Sequence, residues 1–316
     1  MPETTIEPDE ISETLVYALA ASPLFGVHPR AACFAATGAG LLVSRDGAAW
    51  QDAFAGLQVS GPSVVTALAI SPDFEKDGSV FAGVSGGVLR SADGGRGWNS
   101  AIFPPPVPMV SSLVISPNFA QDGTLFAGTM EDGVLISTDA GTHWAAWNFG
   151  LLDLNILALA ISPTFEQDET IWAGSETGLF CSTNGGRAWR EVVLPAGQAA
   201  VTALAVSPGF AADRTLFAGT DGSGLFRSLD GGAHWQPVGQ TAGLEQVNQL
   251  LLAPLAGAPT AVWAISGDAL LVSPDAGENW GELPVSGEDG MLCAACLLPG
   301  GGLLAGFTGN KFARIL

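Results

Sequence analysis

One eight-residue pattern, Ser-x-Asp-x-Gly-x-x-Trp, recurs along the chain at nearly constant spacing, and any fold must accommodate it. A representative copy is Ser91-Ala92-Asp93-Gly94-Gly95-Arg96-Gly97-Trp98; others occupy 137–144, 182–189, 228–235 and 273–280. A first copy, Ser44-Arg45-Asp46-Gly47-Ala48-Ala49-Trp50, is one residue short. The closing tryptophans stand at 50, 98, 144, 189, 235 and 280, at intervals of 45 to 48 residues, the length of a four-stranded propeller blade. Within a unit, Val201–Val206 reads as an inner strand, 215–219 as a second and 224–227 as a third, with a fourth after Trp235. One such sheet, apolar on both faces, cannot stand alone in water, so the units must stack around an axis.

Beyond Trp280 a partial seventh unit (290–316) supplies three strands, the first being Leu292–Leu297. Residues 1–10 are expected to add the fourth strand and close the ring. The expected fold is therefore all-β: a single β-propeller over residues 1–316, with seven blades of four antiparallel strands. Its 47% apolar and 13% charged residues suit strands buried on both faces.

The pattern has a structural explanation at the hairpin between third and fourth strands. Asp46, Asp93, Asp139, Asn184, Asp230 and Asp275 can accept otherwise unpaired backbone N–H groups there, glycine permits positive φ, and tryptophan anchors the turn. A second pattern, Ser-Pro-x-Phe-x-x-Asp, begins at 71, 116, 162 and 207 between first and second strands. Its lone aspartate lacks the neighbouring ligands of a calcium loop and is read as a turn cap, so neither metal nor cofactor is expected.

These repeats make the chain resemble the Asp-box, or BNR-repeat, propellers over residues 14–316. That group includes sialidases, sortilin-like receptor domains, xyloglucan-cleaving hydrolases and photosystem assembly factors, so the resemblance implies a fold shared by enzymes and non-enzymes. Sialidases of the group use three arginines, a tyrosine–glutamate pair and an aspartate. Here the single tyrosine, Tyr17, falls in the first inner strand, and no matching arginine motif is evident. Arg90, Arg227 and Arg314 share a third-strand position and are read as edge-side residues, with a weak anion site as the sharper alternative. His28, His143 and His234 are scattered and build no nucleophile–base pair.

With 31 acidic and 11 basic residues the net charge is −20, which leaves no basic surface to track phosphates and argues against nucleic acid. No run of about 18 apolar residues suggests a membrane span, and the acidic start does not read as a signal peptide, so a cytoplasmic location is expected. Cys33, Cys181, Cys293 and Cys296 do not resemble a disulfide framework and are expected to be core thiols.

Strand order places both repeated loops on one side of the disc. The other side should carry Glu131, Asp132, Glu176, Asp221 and Asp268 in second-to-third turns, beside inter-blade residues including Phe103, Met109, Phe149, Leu151, Leu152 and Leu244. Apolar groups beside carboxylates point to a docking surface for a basic, partly apolar protein segment. The competing structural reading tucks Leu57, Leu151 and Leu244 between blades as plugs. A non-catalytic interaction or assembly scaffold is the expected function; the alternative is a carbohydrate-binding protein or glycoside hydrolase.

Overall fold

A computed structural model describes residues 14–57, 63–103, 108–255, 258–285 and 290–315. They form seven antiparallel sheets, six of four strands and one of three. Blade one comprises Val16–Ala21, Cys33–Thr37, Gly40–Ser44 and Trp50–Asp52; blade five comprises Val201–Val206, Leu216–Thr220, Leu225–Ser228 and Gln236–Val238. Each inner strand lies beside the next, and Val16–Ala21 lies beside Leu292–Leu297 of blade seven, so the ring is closed. The strand expected from residues 1–10 falls outside the described residues.

The blades interlock because the second strand of most blades has a glycine where its neighbour needs room. A Cβ on Gly83 would stand 2.5 Å from Val110 Cγ1, and one on Gly219 would stand 2.5 Å from Val247 Cγ1. Each valine therefore occupies space that any larger residue would fill, a close approach that glycine in a strand commonly marks. The same geometry recurs at the seam, where a Cβ on Gly306 would meet Val16 Cγ1 at 2.9 Å.

At the seam, Trp50 also stacks on Phe312 at 4.0 Å, and Arg314 Nη2 donates to Asp46 O at 2.7 Å. Cys33 and Cys296 share the buried cluster there, and all four cysteines are free thiols. A hydrogen bond with Cys296, then burial, pushes the Cys33 thiol far up.

Each Ser-x-Asp turn is built as its chemistry requires. Ser137 Oγ donates to Asp139 Oδ1 at 2.9 Å and accepts from Gly141 N at 2.9 Å, while Asp139 Oδ1 also accepts from His143 N at 2.9 Å. Asn184 retains part of this set, accepting from Ser182 Oγ and Ala188 N, both at 2.9 Å.

The Ser-Pro segments differ from a simple capped turn, for each folds into a single helical turn: Phe74–Asp77, Phe119–Asp122, Phe165–Asp168 and Phe210–Asp213. Its buried phenylalanine meets an aromatic ring of the preceding blade edge-on, as Phe119 does Phe81 at 5.5 Å. The final aspartate still caps the turn, since Asp77 accepts from Ser71 Oγ at 2.6 Å and Ser79 N at 2.7 Å.

Two of the three third-strand arginines, Arg227 and Arg314, are struts between neighbouring blades, whereas the buried Nε of Arg90 has no hydrogen-bond partner. Arg227, 5% exposed, donates to Ala276 O of the next blade at 2.7 Å and to Glu278 Oε1 at 2.6 Å. The edge-side reading thus fails for Arg227, because its charge is neutralised between two blades.

Candidate docking face on blades three and four

On the side opposite the Ser-x-Asp turns, the connector from blade three to blade four (147–155) joins two second-to-third turns. Asn148 Nδ2 donates to Asp132 O at 2.8 Å, and Val134 N donates to Asn148 Oδ1 at 2.9 Å. Further along, Asn155 Oδ1 accepts from Glu131 N at 2.9 Å, while Asn155 Nδ2 donates to Glu176 Oε2 at 3.1 Å. Asp153 Oδ2 completes the lattice by accepting from Thr177 N at 2.9 Å and Thr177 Oγ1 at 2.8 Å. Burial pushes the Asp153 carboxyl up, but hydrogen bonds from Asn155 N and from Thr177 prevail and hold it below its ordinary value. Glu131 has φ of 80°, a left-handed conformation that a non-glycine residue keeps only where its surroundings impose it.

This polar lattice fixes a connector that turns Phe149 and Leu152 toward water. Phe149 is 81% exposed and Leu152 is 78% exposed; Leu154 and Met109 are exposed to a lesser degree. Beside them lies a cavity of about 230 Å³ lined by Phe103, Asp132, Leu135, Trp144, Asn148 and Leu154 among others. Carboxylates and exposed apolar groups therefore share one small area, an arrangement able to bury an apolar side chain while orienting a cation.

Several expected contacts are placed elsewhere. Phe103 is only 3% exposed, meeting Trp144 edge-on at 5.8 Å, and Leu151 is 7% exposed in the cluster that contains Trp189. Leu244 is buried beside Trp280. These residues pack against the next blade's tryptophan, with Leu151 enclosed and Phe103 presenting part of its surface to the cavity beside Leu154. Asp221 and Asp268 are exposed on blades five and six, outside the lattice that joins Glu131, Asp132 and Glu176.

Sequence reasoning missed Asn148, Asp153, Leu154 and Asn155. The available signal was the run Asn148-Phe149-Gly150-Leu151-Leu152-Asp153-Leu154-Asn155, in which one connector carries three capping side chains and four large apolar ones.

The central channel offers different chemistry. A cavity of about 270 Å³ is lined by inner-strand residues including Tyr17, Thr66, Ser111, Leu157, Thr202 and Asn248, and its lining contains no carboxylate. Bulges skip Tyr17, Thr66, Leu157 and Thr202 in the strand register. Three of the hydroxyls are used in assembly: Thr202 Oγ1 donates to Val247 O of the next blade at 2.6 Å, as Thr66 does to Val110 O and Ser111 to Ile156 O.

Closed ring, blade order and antiparallel sheets together define a seven-bladed β-propeller. The sequence matches no family model, and no curated protein sequence matches it. Among solved structures, the GH74 xyloglucanase from Xanthomonas campestris is 16% identical with a TM-score of 0.72, over 95% of this chain and 51% of its own. The chain thus spans about half the length of that enzyme. YCF48 bound to a D1 peptide is 16% identical with a TM-score of 0.70, over 96% of this chain and 94% of its own. Streptogramin B lyase is 12% identical with a TM-score of 0.72, over 97% and 95%. At these identities the likeness is one of fold. Among the described residues no helix is long and apolar enough to cross a membrane.

Proposed function

We propose that this chain is an Asp-box propeller acting as a non-catalytic docking module, with a basic, partly apolar protein segment seated on the connector face of blades three and four. The observation that carries this reading is the exposure of Phe149 and Leu152 on a connector whose polar groups are tied down beside Glu131, Asp132 and Glu176. Apolar burial supplies affinity there, and the strongly acidic chain steers a cationic partner into place. The propeller YCF48, comparable in length, is seen with a peptide bound, which makes a peptide an apt class of ligand. The glycosidase alternative draws less support from this geometry. A glycosidase needs a pair of carboxylates flanking its substrate, whereas the channel lining offers hydroxyls already bonded to neighbouring blades.

The test is fluorescence anisotropy with a panel of synthetic peptides combining Lys or Arg with Leu or Phe. A subset should bind wild-type protein, with affinity falling as salt rises. The Phe149→Asp, Leu152→Asp double variant should bind at least about ten-fold more weakly while keeping its thermal midpoint. Equal affinity in that variant, or no binding by any peptide, overturns the reading.

A further inference from the structure

The scarcity of cations makes their placement informative. Of the 11 lysines and arginines, Arg30, Arg45, Lys76 and Arg96 line one cavity of about 420 Å³ between blades one and two, on the side carrying the Ser-x-Asp turns. Arg45 and Arg96 also line an adjoining cavity of about 570 Å³. This site is separate from the connector face and independent of the function proposed for it.

Arg45 is fixed by carbonyls from both blades. Its Nη1 donates to Arg30 O at 2.9 Å and its Nη2 to Gly94 O at 2.9 Å. Burial and then the nearby Arg96 charge lower its pKa. Arg96 also faces Asp93: burial pushes that carboxyl up, but hydrogen bonds from Gly97 N, Ser91 Oγ and Arg96 N, with the Arg96 charge, hold it below its ordinary value. Among the described residues, ion pairs are formed by Arg187 with Glu169 and by Arg227 with Glu278, but none involves Arg30, Arg45 or Arg96. Lys76 is paired with Asp73 at 2.6 Å.

The carboxylates lining this cleft are already engaged. Asp77 accepts from Ser71 Oγ and Ser79 N, and Asp93 accepts from Ser91 Oγ, Arg96 N and Gly97 N. The repeat does not explain the cluster either: at the position of Arg45 the other turns carry Ala92, Thr138, Thr183, Leu229 and Pro274. A concave site of small-molecule size, lined by three arginines of which one is pre-positioned, suits a compact dianion.

We propose that the cleft between blades one and two binds a phosphate monoester, with Arg45 as the fixed donor and Arg30 and Arg96 closing on the phosphate. The group can come from a free phosphorylated metabolite or from a phosphorylated side chain, and the experiment separates the two. Isothermal titration of the full chain uses inorganic phosphate, a hexose phosphate, a phosphoserine peptide and that peptide unphosphorylated.

The expected result is binding of at least one ester, none of the unphosphorylated peptide, and at least about ten-fold weaker binding by Arg96→Gln and by Arg30→Gln. Arg187→Gln is the control: it removes an arginine from blade four's turn that is already paired with Glu169, and should leave affinity unchanged. Tighter binding of the hexose phosphate points to a metabolite, and tighter binding of the phosphopeptide to a modified partner. Failure of every phosphate compound to bind, or equal affinity in Arg96→Gln and wild type, overturns the site. Phe149→Asp, Leu152→Asp should bind phosphate as wild type does, so this result and the peptide result succeed or fail separately.

Discussion

The two sides of the disc use the same kinds of residue for opposite ends. On the Ser-x-Asp side, Asp46, Asp93, Asp139, Asp230 and Asp275 each accept a serine hydroxyl and a backbone N–H, so the carboxylates are consumed in holding turns. On the connector side, Glu131 and Glu176 are anchored through their backbone or a single oxygen, leaving carboxylate capacity turned outward. Positions that repeat report what a ring of blades needs. Positions that break the repeat, such as Phe149 and Leu152 on one side and Arg45 on the other, are those on which the proposed docking face and phosphate cleft rest.

Two neighbouring residues on one connector give the sharpest way to break this division. Gly150 has φ of 84°, and a Cβ there would stand 2.2 Å from Trp189 O. Gly150→Ala should destabilise by about 2–4 kcal/mol, because both the dihedral and the backbone contact oppose the new methyl. Phe149→Ala, one residue earlier, should change stability by no more than about 0.5 kcal/mol while weakening peptide binding. Chemical denaturation of both variants checks the pair. A large stability loss in Phe149→Ala would make that ring structural and remove the main support for the docking face.

The repeated side supplies the next largest effect. Asp139→Ala leaves Thr142 N, His143 N and the Ser137 hydroxyl without their shared acceptor and should cost about 1–3 kcal/mol. Peptide affinity, measured where the variant remains folded, should be unchanged. Loss of peptide binding without loss of stability would contradict the assignment of this repeated turn to structure.

The architecture was legible because periodicity is a one-dimensional record of a stacked fold. Tryptophan spacing gave the blade length, and the inner strands Val201–Val206 and Leu292–Leu297 were readable from their apolar runs. The helical turn at Phe74–Asp77 was not, since four residues carry too little periodicity to distinguish a helix from a loop. The site was only partly legible for a different reason. Exposure of an apolar connector residue depends on the next blade: Leu151 and Leu152 are adjacent and chemically identical, yet one is buried in the cluster containing Trp189 and the other faces water. The basic cleft was invisible because Arg30, Arg45, Lys76 and Arg96 come from two blades and converge only when these stack.

The smallest expected effect concerns the one turn that departs from the aspartate rule. Hydrogen bonds from His143 N and the His143 ring lower the Asp139 pKa to about 2, and the Asn279 side chain and N–H lower that of Asp275 to about 2. An unfolded aspartate titrates near about 3.9, so these groups contribute stability that is present above that pH and lost as pH falls through about 2. Asn184 accepts from Ser182 Oγ and Ala188 N without a charge and has no such dependence. Asn184→Asp should therefore gain about 0.5 kcal/mol near neutral pH, through charge-assisted bonds to the same donors, and lose that gain at about pH 2. Urea midpoints of the variant and wild type at the two pH values test this. A gain that persists in acid would have to arise from something other than the carboxylate, and a loss at neutral pH would show that repulsion within this acidic chain outweighs the improved turn.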